Sequence, residues 1–369
     1  MHKKLFIPGP SEVRPKILQA LATPQIGHRA KEYSAMHERV LPKVKQILYT
    51  KNDILLWAAS STLVMEACLR NLSNKKVLSC VNGAFSKRWG QMCPANGIPN
   101  EVLNVEWGKA VKPEMIDEKL ASGEFDCVTV AMNETSTGVE SPIGEIAKVM
   151  KKYPEVMFCV DAVSCMAGVK IPTDEWGIDV VLAGTQKAWA LPAGLTISAI
   201  SERAYERAKT VKHRGYYTDF LDMKKYNDKF QTPATPVIPH IFALDMQTDD
   251  ILAEGLDNRW ARHERLAKAT RDFVVKHGFP LFPEAGYESR TLTCATNAKG
   301  IVVADLNSAL GKRGFMISNG YGDLKEKTFR IAHMGDVTDA ELKELLDNID
   351  DILKTLPTGI TPKVSGGGG

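Results

Sequence analysis

An α/β fold is predicted for this chain, with a mostly parallel sheet in a large domain and a smaller α+β domain at the carboxyl end. Two observations predict it. Between about residues 53 and 200, short apolar runs alternate with amphipathic stretches, a pattern typical of βαβ units. At 369 residues the chain also exceeds the usual size of one domain, so a second domain is expected.

Six apolar runs of strand length are predicted to form the sheet, and amphipathic segments between them are predicted to be helices. The runs cover residues 53–57, 76–81, 100–105, 126–132, 156–160 and 179–183. The helical patterns cover residues 62–72, 87–95 and 143–152. Open α/β sheets bind ligands beyond the carboxyl ends of their strands. We therefore expect functional side chains directly after these runs.

The second half of the chain changes pattern twice. It is irregular and polar from about residue 205 to 240, and a long helix is then predicted from about Asn258 to His277. Helix and strand patterns alternate again as far as Leu356. We predict an N-terminal arm at 1–25, a large domain at 26–257, a small domain at 258–357 and a flexible tail at 358–369.

Composition favours a protein that binds small molecules. The 47 basic and 44 acidic residues nearly balance, and no dense basic stripe indicates nucleic-acid binding. The apolar runs are too short for a signal peptide or for the roughly 20 residues of a membrane span, so a cytoplasmic location is predicted. The seven cysteines form no CxxC pair. We predict reduced, buried thiols, with neither disulfides nor a metal site.

Two charged residues stand where the sheet should bind its ligand. Asp161 follows the run that ends at Val160, and Lys187 follows the run that ends at Ala183. Each would be costly at a sheet edge without a partner. Pyridoxal phosphate needs a lysine amine for its Schiff base, a carboxylate at its ring nitrogen and donors for its phosphate. The predicted helix start at residues 60–62 offers such donors.

Seven motifs extend this pattern over residues 3 to 356. In chain order they are Phe6-Ile7-Pro8-Gly9-Pro10, Gly27-His28-Arg29, Asn82-Gly83-Ala84-Phe85, Glu134-Thr135-Ser136-Thr137-Gly138, Val160-Asp161-Ala162-Val163-Ser164, Gly184-Thr185-Gln186-Lys187-Ala188 and Phe329-Arg330-Ile331-Ala332. With these motifs in this order, the chain resembles the class V (fold-type I) pyridoxal-phosphate-dependent aminotransferases, in the alanine-glyoxylate and serine-pyruvate aminotransferase group. The resemblance implies a seven-stranded sheet and a homodimer with shared active sites.

The resemblance also implies roles around the cofactor ring. Lys187 would form the Schiff base and move the proton during the reaction. Asp161 would pair with the pyridinium nitrogen. Phe85 and Val163 would contact opposite faces of the ring, and Thr135 would donate a hydrogen bond to the phenolic oxygen.

Further roles concern the phosphate and the substrate. The phosphate would be held by residues near the helix start and after the last strand, Ser60, Ser61, Thr62 and Gln186. A second copy of the chain would add Thr232 and Thr235. The substrate would be bound by Arg330, whose planar guanidinium suits an α-carboxylate, with Gly9, His28 and Arg29 lining the pocket. Leu63 departs from the family pattern, which has glycine there, so we expect either an ordinary helical backbone or a remodelled site.

The predicted activity is transfer of an amino group from a small L-amino acid to a 2-oxo acid such as glyoxylate or pyruvate, by a ping-pong mechanism. Alanine, serine and aspartate all stay open as donors. One alternative is a lyase of the desulfurase type on the same fold, which needs a reactive cysteine, and only Cys294 is a candidate. Another alternative is a non-catalytic subunit that keeps the fold.

Overall fold

The structure is a computed structural model that describes residues 2–359. Its strands, in chain order, are β1 (Lys4–Phe6), β2 (Asp53–Trp57), β3 (Val77–Val81), β4 (Asn100–Asn104), β5 (Cys127–Ala131), β6 (Asn133–Glu134), β7 (Val139–Glu140), β8 (Met157–Asp161), β9 (Val180–Gly184), β10 (Thr196–Ile200), β11 (Leu292–Thr296), β12 (Phe315–Asn319) and β13 (Thr328–Ala332).

The helices, in chain order, are α1 (Pro15–Leu21), α2 (Lys31–Ile47), α3 (Ser61–Leu72), α4 (Lys87–Ala95), α5 (Pro113–Leu120), α6 (Ile143–Met150), α7 (Glu202–Thr210), α8 (Phe220–Asn227), α9 (Ile238–Glu254), α10 (Leu256–Lys276), α11 (Val303–Lys312) and α12 (Asp339–Leu353). A short 3₁₀ helix covers Gly322–Leu324.

The larger sheet has seven strands in the order β2-β10-β9-β8-β5-β3-β4. Only β10 is reversed, because it pairs antiparallel with both β2 and β9. The predicted mostly parallel, seven-stranded sheet is therefore confirmed, and the six predicted runs all became strands of it. Strand β10 was not among those runs, since Thr196 and Ser198 interrupt its apolar character; both side chains are buried and hydrogen-bonded to neighbouring segments.

Helices cover both faces of this sheet, as its sequence pattern requires. Successive residues of a strand point to opposite faces. Ile54 and Leu56 pack into a core with helices α1, α2, α5, α6 and α9. Leu55 and Trp57 pack on the other face with α3, α4, α7 and α8. The inner strands β3, β5, β8, β9 and β10 are buried on both faces, whereas the edge strand β4 is partly exposed. The cavity described below lies at the carboxyl ends of two of the inner strands.

A second sheet has four strands in the order β1-β12-β13-β11. Its edge strand β1 comes from the predicted N-terminal arm and pairs parallel with β12. The start of the chain therefore packs with the C-terminal segments around one core. The predicted domain boundaries stay predictions.

The predictions for two parts of the second half of the chain had different outcomes. The long predicted helix is confirmed as α10, with Gly278 in the left-handed conformation just after it (φ +77°). The segment predicted to be irregular contains most of α7, all of α8 and the start of α9. Helix α7 was missed because it buries little besides Ala204, Tyr205 and Ala208, so its apolar stripe is short.

Three other predictions concern the chain as a whole. Over residues 2–359, no helix is long and apolar enough to cross a bilayer. The seven cysteines are buried and free, as predicted. Most of the predicted tail, residues 360–369, lies outside the described residues.

Candidate active site

A cavity lies at the carboxyl ends of β8 and β9, against the first turns of α3 and α4. Asp161 ends β8 and pairs in register with Leu182 of β9, which ends two residues later. The cavity is lined by Ser60, Ser61, Thr62, Met65, Phe85, Arg88, Asn133, Thr135, Asp161, Val163, Gln186 and Lys187. All nine residues predicted to hold the cofactor from within one chain are in this set.

Contacts with the N-terminal segment position Lys187 in the wall of this cavity. Its side chain is only 9% exposed, and its Nζ donates a hydrogen bond to the carbonyl of Pro8. Ser11 Oγ donates to the Lys187 carbonyl at 2.8 Å. Gly9 has φ +93°, a backbone conformation that favours glycine, and a side chain there would force the end of the Lys187 side chain to move. Gly9 thus adjoins Lys187, and its predicted contact with the substrate stays a prediction.

The ionisation of Lys187 reflects its surroundings. Burial, together with the positive charge of Arg330, lowers the pKa of Lys187 to about 8, although Asp161 opposes this shift. A lysine with a pKa near the working pH has a substantial neutral fraction. The amine is therefore able both to act as a nucleophile and to accept a proton.

Asp161 is buried in the same cavity. Burial raises the pKa of Asp161 to about 6, and the nearby charge of Glu134 adds to the shift, whereas Lys187 lowers it. Its Oδ1 accepts a hydrogen bond from the Val163 backbone N–H at 2.9 Å, which fixes the carboxyl orientation. A carboxyl with so few protein partners is suited to a cationic group of a ligand.

The first turn of α3, beside these two residues, has the features that favour anion binding. Ser60 precedes the helix with extended backbone, and the Leu63 N–H donates to the Ser60 carbonyl at 3.0 Å. Leu63 thus takes an ordinary helical conformation, which is the first of the two outcomes expected for its departure from the family pattern. The free N–H groups and the positive helix end favour a phosphate here.

Unpaired polar atoms indicate that the cavity is built for a polar ligand. Eleven buried side-chain N and O atoms have no hydrogen-bond partner among residues 2–359, and three of them belong to residues that line this cavity, namely Ser61 Oγ and both polar atoms of the Asn133 side-chain amide. Buried polar atoms are rarely left unpaired. With the serine in the first turn of α3 and the amide beside Thr135, these atoms fit the phosphate and the ring of pyridoxal phosphate.

Glu134 joins two of the loops that line the cavity. Its fully buried carboxylate accepts hydrogen bonds from the backbone N–H of Phe85, Ser86 and Ser136 and from the hydroxyls of both serines. Phe85 and Thr135 are therefore fixed relative to each other. The sequence motif that contains Glu134 was found, but this role was not, because three of the five donors belong to residues 85–86, which are distant in sequence from Glu134.

Arg88 was also missed. It lines the cavity, and its guanidinium carbon lies 4.9 Å from the centroid of the Phe85 ring. Its positive charge opposes the rise in the pKa of Asp161 and adds to the lowering of the pKa of Lys187. Its position one helical turn after Phe85 was a signal that could have found it.

Arg330 lies on β13 beside this cavity and is largely buried. Its Nε and Nη2 donate to the Asn319 carbonyl at 3.2 and 3.0 Å, and its Nη1 donates to the Thr135 carbonyl at 3.2 Å. A guanidinium has five N–H donors. These three bonds leave one donor on each terminal nitrogen, which is the pair that a carboxylate accepts in a bidentate arrangement.

The remaining predicted residues lie away from the cavity of their own chain. Arg29 donates to the carbonyls of Thr232 and Pro233 at 2.7 and 3.2 Å, so it fixes that loop and does not line the cavity. His28 is half-buried nearby and does not line it either. Thr232 is buried and bonded to the Ala234 carbonyl, whereas Thr235 is exposed.

Taken together, the fold and the cavity define a pyridoxal-phosphate-dependent aminotransferase. Residues 16–325 match the family described as aminotransferase class-V. The chain belongs to this family.

Three relatives and one solved structure illustrate the family. An uncharacterized aminotransferase of Methanocaldococcus jannaschii is 39% identical over 99% of this chain and 96% of its own length. The small subunit of a soluble hydrogenase from Synechococcus is 33% identical over 97% and 95%. Serine–glyoxylate aminotransferase of Methylorubrum extorquens is 31% identical over 92% and 88%. The crystal structure of aspartate aminotransferase from Thermus thermophilus has a TM-score of 0.89 and 27% identity, covering 96% of this chain and 99% of that one.

Proposed function

We propose that the chain transfers the amino group of a small L-amino acid to a 2-oxo acid such as glyoxylate or pyruvate, in a ping-pong reaction centred on Lys187. One observation carries the proposal. A lysine with a lowered pKa and a buried carboxyl face one cavity, and an arginine with two free donors stands beside it. These are the groups that cofactor attachment, ring protonation and carboxylate binding require.

Pyridoxal phosphate, when bound, supplies an electron sink for the negative charge that develops at the substrate Cα and carries the amino group between half-reactions. Lys187 would bind it covalently through Nζ and, as a free amine, move the proton at the substrate Cα. Asp161 would hold the proton on the ring nitrogen. Arg330 would orient the substrate through its α-carboxylate, so that Lys187 reaches the Cα–H bond.

The rest of the cavity would position the cofactor. Phe85 and Val163 would contact the two faces of the ring, and Thr135 would donate to its phenolic oxygen. The phosphate would bind the residues at the start of α3 and after β9, namely Ser60, Ser61, Thr62 and Gln186. The unpaired Ser61 Oγ supports this placement.

The substrate class rests on the names of the relatives. Besides the serine–glyoxylate enzyme, an L-aspartate–glyoxylate aminotransferase of Paracoccus denitrificans is 32% identical to this chain. Together with alanine–glyoxylate aminotransferase 1 of Saccharomyces cerevisiae, which is 30% identical, these names support alanine, serine or aspartate as donor and glyoxylate as acceptor. Pyruvate is proposed beside glyoxylate because it is also a small 2-oxo acid. A cytoplasmic location belongs to the same proposal.

A homodimer with shared active sites is also part of the proposal. Thr232 and Thr235 do not line the cavity of their own chain, and Arg29 holds their loop on the surface of the large sheet's domain. The exposed Thr235 is free to reach the phosphate bound by a second copy. Arg29 would then act by positioning that loop and not by binding substrate.

The two alternative functions differ in support. A desulfurase would need a reactive thiol, but burial raises the pKa of Cys294 to about 12, which disfavours its thiolate. A non-catalytic subunit receives support from the relative named as a hydrogenase subunit. The complete set of charged groups in the cavity favours the enzyme.

The test compares wild type with Lys187→Ala and with the control Lys170→Ala, which removes an exposed lysine. We expect wild type with pyridoxal phosphate to show a visible absorbance band that bleaches with alanine, serine or aspartate. Lys187→Ala should lose that band and roughly 10²- to 10⁴-fold in turnover, while Lys170→Ala should keep both. Near-normal turnover of Lys187→Ala would refute the assignment, and a wild type without any band would support the non-catalytic subunit.

A further inference from the structure

Tyr321 lies beside the Arg330 side of the active-site cavity. Its ring centroid is 4.9 Å from that of Phe85, with 39° between the ring planes. The guanidinium carbon of Arg330 lies 5.6 Å from the Tyr321 ring centroid. Tyr321 thus contacts both the ring proposed to stack on the cofactor and the arginine proposed to bind the substrate carboxylate.

The exposure of the two partners differs. Arg330 is nearly inaccessible to solvent, whereas Tyr321 is 38% exposed. One side of the phenol ring therefore packs against the buried guanidinium, and another side meets water. The ring therefore lies against the guanidinium and is itself partly in contact with solvent.

The turn that carries Tyr321 is fixed at its base. Asn319 Oδ1 accepts the backbone N–H of Gly320 at 2.8 Å and that of Glu326 at 2.7 Å. A side chain at Gly320 would overlap the Leu324 carbonyl, so the turn is too tight for any other residue. The carbonyl of Asn319 is also an acceptor for Arg330. One short segment therefore places both the ring and the guanidinium.

We propose that Tyr321 is a positioning residue for substrate recognition, which covers the pair formed by Arg330 and the α-carboxylate of the substrate. The proposal rests on the proposed function, because it takes Arg330 as the carboxylate site. An aromatic face attracts a guanidinium and keeps it in one orientation. The ring also excludes water, and the attraction between opposite charges grows as the local dielectric constant falls.

The proposal predicts how KM and kcat of the two half-reactions change when the ring is removed. The amino donor and the 2-oxo acid acceptor both carry an α-carboxylate, so the loss of the ring should weaken both half-reactions equally. Because the contact is the same in the ground state and the transition state, KM should rise while kcat changes little.

The experiment uses the holoenzyme and three variants. Tyr321→Ala removes the ring, Tyr321→Phe keeps it without the hydroxyl, and Asp323→Ala is a control in the same exposed turn. The unreactive carboxylate propanoate serves as the probe. Its Kd is measured by competition or calorimetry at low and high salt, beside KM and kcat for donor and acceptor.

We expect Tyr321→Ala to weaken propanoate binding roughly three- to thirtyfold, to raise both KM values by a similar factor and to make the Kd more sensitive to salt. Tyr321→Phe and Asp323→Ala should stay within about twofold of wild type. The proposal is overturned if Tyr321→Ala binds propanoate like wild type, if Tyr321→Phe loses as much as Tyr321→Ala, or if Asp323→Ala shows the same loss.

The outcomes separate this proposal from the proposed function. A wild type that binds propanoate in the expected way but has no aminotransferase activity would leave Tyr321 in its role and remove the function. An active wild type whose KM values do not change on Tyr321→Ala would keep the proposed function and remove the role of Tyr321.

Discussion

The active-site cavity and the cluster around Arg259 both bury charged side chains, yet the pKa values of their acids are shifted in opposite directions. Burial raises the pKa of Asp161 in the cavity. The Arg259 cluster is formed by Arg14, Glu254, Arg259, Arg262 and Asp336. Burial alone would also raise the pKa of Asp336, but Arg259 and Arg14 hold this pKa below its ordinary value. The difference lies in the partners and not in the depth of burial.

The contacts explain this difference. Arg259 is 1% exposed and bonds Glu254 and Asp336 at 2.9 and 3.0 Å. It also donates to the carbonyl of Ala188, the residue after Lys187, at 3.0 Å. Asp161, in contrast, has a backbone N–H as its partner. A structural cluster pairs its charges within the protein, whereas the cavity keeps charges available for a ligand.

The largest effect on stability is expected for Arg259→Met, which breaks the paired cluster. Asp336 and the partly exposed Glu254 would each lose a counter-charge, and the expected loss is up to about 3–5 kcal/mol of unfolding free energy. Urea unfolding near neutral pH measures it. The control Arg265→Met removes an exposed arginine, 57% accessible and paired with Asp339, and should cost about 1 kcal/mol or less. Similar losses for both variants would mean that the cluster is no different from a surface pair.

The opposite sign is expected in the cavity, for Asp161→Asn in the protein freed of cofactor. The folded pKa of about 6 lies above the ordinary value of 3.8, so the folded state holds the proton to higher pH than the unfolded chain does. Stability therefore falls as pH rises from about 4 to 6. Above pH 6 the variant should be more stable than wild type by roughly 3 kcal/mol.

The pH dependence of that gain is the sharper measurement. Thermal or urea unfolding of both proteins should show the difference vanishing near pH 4 and reaching a plateau above pH 6. Asp336→Asn is the matched control, because its lowered pKa predicts a loss of stability at neutral pH. A constant difference across this range, or a destabilised Asp161→Asn at pH 7, would contradict the account of the cavity.

Glu134 offers a third case and the smallest expected effect. This buried carboxylate is stabilised by five hydrogen-bond donors from uncharged groups. Glu134→Gln turns one acceptor into a donor that faces other donors, so a loss of about 1–3 kcal/mol is expected. Phe85 would also shift, and the cofactor's absorbance band and affinity should change with it. Exposed Glu145→Gln is the control, and an unaltered spectrum in Glu134→Gln would remove its positioning role.

Local sequence patterns determined much of this protein. Strand-length apolar runs and helix starts depend on neighbouring residues, so the ends of β8 and β9 could be predicted, and with them the placement of Asp161 and Lys187 at one sheet edge. The same reasoning placed Ser60, Ser61 and Thr62 at a helix start. Each of these predictions uses only the periodicity of the chain and the rule that parallel strands end together.

Only the tertiary structure decided the rest. Three contacts could not be predicted from periodicity. Tyr321 meets Arg330 through a tight turn. Glu134 binds residues 85–86 and Arg29 binds residues 232–233, which are distant in sequence. Arg29 illustrates the limit, because its sequence motif indicated the substrate pocket, which stays a prediction, whereas within its own chain its guanidinium donates to the carbonyls of Thr232 and Pro233. A strand fixes which face a side chain points to, but side-chain packing fixes which partner that side chain meets.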